Sequence, residues 1–263
     1  MRHAAPETVS EGGYERTAFI PDLHAPNIDE RAFRCALAFL GVFKPDHVFV
    51  LGDVVDFYQV SSFDKDPARL HQLQDDLDAG TAALRRIRQA CPLGTKITML
   101  KGNHEARMQR ACRSNLPALA TIRNLRIPEL LNLGAYDIEY VESGITRHHG
   151  FVVKHGDIVS SKSGYTAGRE MSKAGISGIS GHTHRLGQVF ETNYSGMLTW
   201  VEAGCLCELT PEYIDGLPNW QHGMAYGYWR RGDRRFTVHT LPIINGRAVY
   251  GGREVGAPRK GDA

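Results

Sequence analysis

Five short polar stretches stand out in the chain: Asp22-x-His24, Gly52-Asp53-x-x-Asp56, Gly102-Asn103-His104-Glu105, His155-Gly156-Asp157 and Gly181-His182-x-His184. Their side chains are nitrogen and oxygen donors of intermediate hardness. Such a set suits Mn²⁺, Fe, Zn²⁺, Co²⁺ or Ni²⁺, whereas Ca²⁺ wants oxygen alone and Cu(I) wants sulfur. Donors at i and i+2 project the same way from an extended segment, so Asp22 with His24, and His182 with His184, are expected to converge. About seven ligands are too many for one ion and suit two that share a carboxylate. Two ions about 3.5–4 Å apart can acidify a bridging water and clamp a phosphoryl group during in-line displacement.

Each polar stretch follows an apolar run that reads as a strand, at 17–20, 47–51, 96–100, 151–154 and 178–180. Ligand sites in open α/β sheets form beyond the carboxyl ends of the strands, so the five ends predict one shared pocket. Between the strands, Phe33, Leu37 and Leu40 give a helix its inner face, with Asn27 or Asp29 to cap it and Gly41 to close it. Leu70, Leu73, Leu77, Leu84 and Ile87 predict a second helix over about 67–90. This alternation argues for parallel βαβ units. It breaks at about 105–134, where three short helices, after Glu105, at Pro117 and from Pro128 to Gly134, are expected as a cap over the site. Strands at 138–141, 144–147, 151–154, 188–192, 197–201, 225–230 and 236–241 then predict a second, partly antiparallel sheet, with a turn at Gly232-Asp233. Residues 1–15 read as a flexible leader and 251–263 as a flexible tail, leaving 16–250 as a single domain.

With 263 residues, 42% hydrophobic, the chain can bury a substantial core. A net charge of +2 does not mark a dedicated nucleic-acid or membrane binder. No apolar stretch approaches a membrane span, and the expected setting is cytoplasmic. The five cysteines lack zinc-knuckle spacing, and Cys205-x-Cys207 reads as a pair of core thiols. The histidines outside the five stretches (His3, His47, His71, His148, His149, His222 and His239) have no matching context, and His148-His149 reads as a pair on a strand surface. Glu105 is expected to cap or pair at the start of its helix.

The five stretches, in this order over about residues 17–185, resemble the signature of the calcineurin-like metallophosphoesterases. The resemblance implies a four-layer αββα sandwich of two mixed sheets flanked by helices, and a phosphoester hydrolase using two divalent transition-metal ions, Mn²⁺ foremost. It implies that Asp22, His24 and His184 hold one ion, that Asn103, His155 and His182 hold the other, and that Asp53 bridges. His104 would be the general acid, oriented by Asp56, with a metal-bridging hydroxide as nucleophile and no covalent intermediate. Protein phosphatases of this superfamily carry Gly-Asp-x-Val-Asp-Arg-Gly; here Phe57 stands at the arginine position, which weakens a protein phosphatase reading. Lys101, Arg107, Arg110, Arg113, Arg123 and Arg126 face only Glu105 as acid across 101–127. With Arg185 they make either a phosphate-gripping wall or a solvated face, and Arg107, Arg110 and Arg185 are the substrate-binding candidates. Phe57 and Tyr58 are available to stack on a base or to pack. The texture of the whole chain is similar to phage and prophage metallophosphoesterases, which points toward a phosphodiester, nucleotide or nucleic-acid substrate. A phosphomonoesterase is the next reading, a non-catalytic metal-binding interaction module the rival from another class, and metal-dependent nucleic-acid binding with incidental hydrolysis a third.

Overall fold

The period-two pattern of the first strand sets up the layers. In β1 (Tyr14–Ile20), Ala18 and Ile20 face one side of the sheet and Phe19 the other. β2 (His47–Val50) separates Val48 and Val50 from Phe49 in the same way. On one side, Ala18, Ile20, Val48 and Val50 pack with Phe33, Phe39 and Leu40 of α1 (Glu30–Phe43) and Leu84 and Ile87 of α2 (Leu73–Ala90). On the other, Phe19 and Phe49 meet Phe151, Val153, Ile179 and Val201 from a second sheet. The computed structural model describes residues 13–61, 72–194, 196–210, 216–233 and 235–256.

The first sheet adds β3 (Lys96–Leu100), β4 (Ile138–Val141), β10 (Gly223–Arg230) and β11 (Phe236–Pro242). Its order is β11-β10-β1-β2-β3-β4, parallel from β1 to β4 and antiparallel at β10 and β11. The second sheet uses β5 (Ile145–His148), β6 (Phe151–Lys154), β7 (Gly178–Ser180), β8 (Leu186–Asn193) and β9 (Gly196–Ala203) in the order β5-β6-β7-β9-β8. Helix α5 (Tyr165–Ala174) covers its outer face, with Ala167 and Met171 against Val152 and Trp200. Helices, sheet, sheet and helix make the expected four-layer sandwich.

Several expectations need correction. The strands at 138–141, 225–230 and 236–241 belong to the first sheet, not the second: the helical cap is the crossover that a parallel β3–β4 pair requires. The first strand begins at Tyr14, inside the expected leader. The expected tail contains β13 (Arg253–Gly256), which pairs with β12 (Arg247–Tyr250) and buries Val255 against the α1 side. Gly41 lies within α1, which Asp29 caps at its start and Lys44, in the left-handed region, ends. Residues 62–71, with Leu70 and the first part of the expected second helix, lie outside the described residues, as do His3 and His71. The cap comprises α3 (Glu105–Asn115), 3₁₀ turns at Pro117–Thr121 and Arg123–Leu125, α4 (Ile127–Leu130), and a further 3₁₀ turn at Leu133–Tyr136 rather than a helix ending at Gly134.

Candidate metal centre

The loops leaving β1, β2, β3, β6 and β7 meet at the carboxyl ends of their strands, as the sequence predicts. Backbone bonds lace the first two together: the Leu23 and His24 amides both donate to the Asp53 carbonyl, at 3.0 and 2.9 Å. Gly52 turns with φ +99°, and a β-carbon there would lie 2.7 Å from the Gly102 nitrogen, so the approach of two loops excludes any larger residue. The donors do not converge by extended i, i+2 geometry. His24, Asp53, His182 and His184 have φ of 49°, 49°, 70° and 57°, in the left-handed region that non-glycine residues avoid. Each such residue costs on the order of 1–3 kcal/mol, and clusters of them mark sites where the surroundings impose a conformation.

Asp53 lies at the centre. Its Oδ2 is 3.7 Å from His24 Nε2, 3.8 Å from His104 Nε2 and 3.3 Å from His155 Nε2. On one side, His24 and His184 bring their Nε2 atoms within 2.9 Å, and Asp22 Oδ2 is 3.2 Å from His184 Nε2. On the other, His155 Nε2 is 2.8 Å from Asn103 Oδ1, and the His155 and His182 ring centroids are 5.1 Å apart. The His182 amide donates to both Asp22 oxygens at 3.0 Å, joining the fifth loop to the first. His155 Nδ1 lies 2.9 Å from the Leu51 carbonyl; donation there leaves Nε2 to face Asp53. Asp53 forms one group with His24 and His104 and another with His155 and His182, each with donor atoms within 4.8 Å of one another and of a chemistry that can hold a divalent ion. All seven residues singled out as ligands are therefore brought together.

His104 stands beside this cluster. Its Nδ1 is 2.9 Å from Asp56 Oδ1 and 2.7 Å from the Asp56 carbonyl, while its backbone amide donates to Asp53 Oδ1 at 2.9 Å. Arg107 reaches both partners, its NH2 2.9 Å from His104 Nε2 and its NH1 3.2 Å from Asp56 Oδ1. Burial works to lower the His104 pKa, but Asp53 and Asp56 outweigh it and raise the ring above its ordinary value. Burial works to raise Asp53, and His104, His155 and His24 outweigh that, holding its carboxyl well below the usual range. Burial and the neighbouring His104 push His24 down to about 4.

Glu105 and Cys207 lie closer to the site than their sequence readings implied. Glu105 is fully buried, and its carboxylate accepts from the amides of Asp53 (2.9 Å), Gly102 (2.8 Å), Val54 (2.8 Å) and Val55 (3.4 Å). It does not cap its own helix; it fixes the turn that carries Asp53. Only its place directly after His104 hinted at this. Cys207, read as a core thiol, is buried 3.9 Å from His184 Nδ1 and forms with His24 and His184 a third group whose donor atoms lie within 4.8 Å of one another. Among the arginines, Arg107 is half-buried against His104, whereas Arg110, Arg113, Arg123 and Arg126 are exposed on the cap. Lys101 is paired with Glu142 at 2.7 Å, outside the stretch in which Glu105 was the one acid. Arg185 is half-buried, its Nε enclosed without a hydrogen-bond partner. Phe57 is fully buried and so packs; Trp220, not assigned before, lies half-buried with its ring 4.3 Å from that of His184.

Residues 15–186 match the family model described as calcineurin-like phosphoesterase. The chain is 26% identical over 255 residues to the Gene 54 protein of Mycobacterium phage L5, covering 91% of this chain and 98% of that one. It is 27% identical over 249 residues to the Gene 54 protein of Mycobacterium phage D29, covering 89% and 95%.

Proposed function

Because the chain belongs to the calcineurin-like phosphoesterase family, we propose that it hydrolyses phosphodiesters of the nucleotide or nucleic-acid class at a two-ion centre. The observation that carries this reading is the position of Asp53, one carboxylate set between two groups of donors. Asp22, His24 and His184 would hold one ion, Asn103, His155 and His182 the other, with Asp53 shared. When bound, the pair, for which Mn²⁺ suits the donor set, supplies Lewis acidity to the phosphoryl oxygens and acidifies a water for attack.

The chain's own residues supply the rest. His104 Nε2 is the proton donor to the leaving oxygen, and Asp56 on Nδ1 keeps the ring oriented and protonated there. The Arg107 guanidinium can donate to Nε2 only while that nitrogen is unprotonated. Once the proton is in place, it must pivot, and a phosphoryl oxygen is the natural acceptor. Exposed Arg110, Arg113, Arg123 and Arg126 give a diester chain cationic partners along the cap, and Trp220 offers a base a surface to stack on.

The test is a substrate panel with Mn²⁺: aryl mono- and diesters, cyclic nucleotides, dinucleoside polyphosphates, and single- and double-stranded DNA and RNA. Diesters are expected to exceed monoesters in kcat/KM, and His104→Ala is expected to lower turnover by about 10²–10⁴-fold while retaining metal. Monoester preference would overturn the substrate class, and metal loss in His104→Ala would overturn its role.

A further inference from the structure

A second cluster of donors lies at the opposite end of the first sheet. Glu15 is near the start of β1, His47 opens β2, and His148 ends β5 in the other sheet. The proposed catalytic ligands follow the carboxyl ends of these parallel strands, so the four residues of β2, about 13 Å at roughly 3.3 Å each, separate the two places. The His148-His149 pair is thus not a simple surface feature: His148 is buried, with 7% of its surface exposed, as is His47.

Glu15 Oε1 is 3.5 Å from His148 Nε2 and 4.0 Å from His47 Nδ1, and the three donor atoms lie within 4.8 Å of one another. Ligands about 2.0–2.2 Å from a tetrahedral Zn²⁺ are about 3.4 Å apart, so small side-chain movements would close this set on one ion. Each ligand is already held in place. His47 Nε2 lies 2.9 Å from Thr98 Oγ1, leaving Nδ1 directed at Glu15, and its ring stacks on Phe49 at 4.0 Å. The His148 ring stands edge-on to Trp229 at 4.9 Å, and His149 Nε2 holds the second Glu15 oxygen at 2.9 Å. Thr17 Oγ1, 3.0 Å from His148 Nε2, would rotate to release that nitrogen. The nearby Lys96 ammonium is paired with Glu139 at 2.9 Å. Glu15, His47, His148 and His149 border a cavity of about 250 Å³ that Lys96, Glu139 and Arg147 also line. A metal-ligating imidazole whose other nitrogen is hydrogen-bonded is the usual arrangement at such sites, and His47 has it through Thr98.

We propose that Glu15, His47 and His148, with water as the fourth ligand, form a site for a borderline divalent cation, Zn²⁺ by preference, which clamps the two sheets at the amino ends of β1 and β2, with His149 positioning Glu15. The site is independent of the hydrolytic centre. The test uses the full chain stripped by chelator and titrated with Zn²⁺, with bound metal counted by elemental analysis. It compares Asp53→Asn with Asp53→Asn carrying Glu15→Gln or His148→Gln, so that the difference between proteins is read rather than the total. Asp53→Asn is expected to retain one equivalent that both double variants lose, and Co²⁺ in its place should give tetrahedral absorption bands absent from the double variants. The otherwise wild-type Glu15→Gln protein should keep its phosphoesterase activity in Mn²⁺ yet lose a Zn²⁺-dependent rise in Tm. If His148→Gln does not fold, Glu15→Gln decides alone. Equal metal content in the single and double variants would overturn the proposal.

Discussion

Glu105 shows how much a single side chain outside the set of donors can govern. Four backbone amides of the Asp53 turn and Gly102 converge on its two oxygens, so the carboxylate fixes the loop that presents the central ligand. Replacing it by Gln puts an N–H group where an amide already donates. We expect Glu105→Gln to weaken metal binding by about 10–100-fold and to destabilise the fold by about 1–3 kcal/mol. Isothermal titration with Mn²⁺ and chemical denaturation check the two effects, and unchanged metal affinity would return Glu105 to a purely structural role. At the same scale, changing Arg110 and Arg113 together to Gln should raise KM for a polynucleotide by more than for a small aryl diester. Equal effects would mark the pair as ordinary solvated surface.

At the scale of elements, the sandwich is joined by aromatic side chains from both sheets. Phe19 of β1 stacks on Phe49 at 5.7 Å, meets Phe151 across the interface at 6.4 Å, and takes the edge of Trp229 at 5.8 Å. Truncating a fully buried aromatic removes its apolar transfer energy and leaves a cavity. Phe19→Ala is therefore expected to lower unfolding free energy by about 3–5 kcal/mol, read from urea denaturation at constant m. A change below about 1 kcal/mol would mean that the two sheets do not depend on this contact. Ile20 and Val50, one residue away, face the helical layer, so the same strands hold both halves of the core. The alternation made this legible in sequence as strands, but not which sheet each later strand would join.

Across the whole molecule, the proposed metal centre would also constrain folding. Residues from five loops of both sheets surround Asp53, and four of the donors' backbones sit in the left-handed region. A ligand that binds the folded state alone adds RT ln(1 + [L]/Kd) to stability, about 2.7 kcal/mol at a hundredfold excess over Kd. Chelator-treated protein is thus expected to melt lower than protein in Mn²⁺, with the difference growing with metal concentration. A melting temperature insensitive to every divalent transition metal would contradict the proposed centre. No helix among the described residues is long and apolar enough to cross a membrane.

The polar residues after each apolar run carry their chemistry in their own types and order. Sequence alone was therefore enough to single out Asp22, His24, Asp53, Asn103, His104, His155, His182 and His184 and the family resemblance, which in turn implied the layer architecture. Donor type and strand periodicity are local properties, written residue by residue. Tertiary structure decided what depends on distance between remote segments: the left-handed backbone that turns the donors inward, Glu105 beneath the Asp53 turn, the strands at 138–141 and 223–242 in the first sheet, and the meeting of Glu15 with His47 and His148. Those pairings arise only when two sheets close on a common core, which no spacing along the chain encodes.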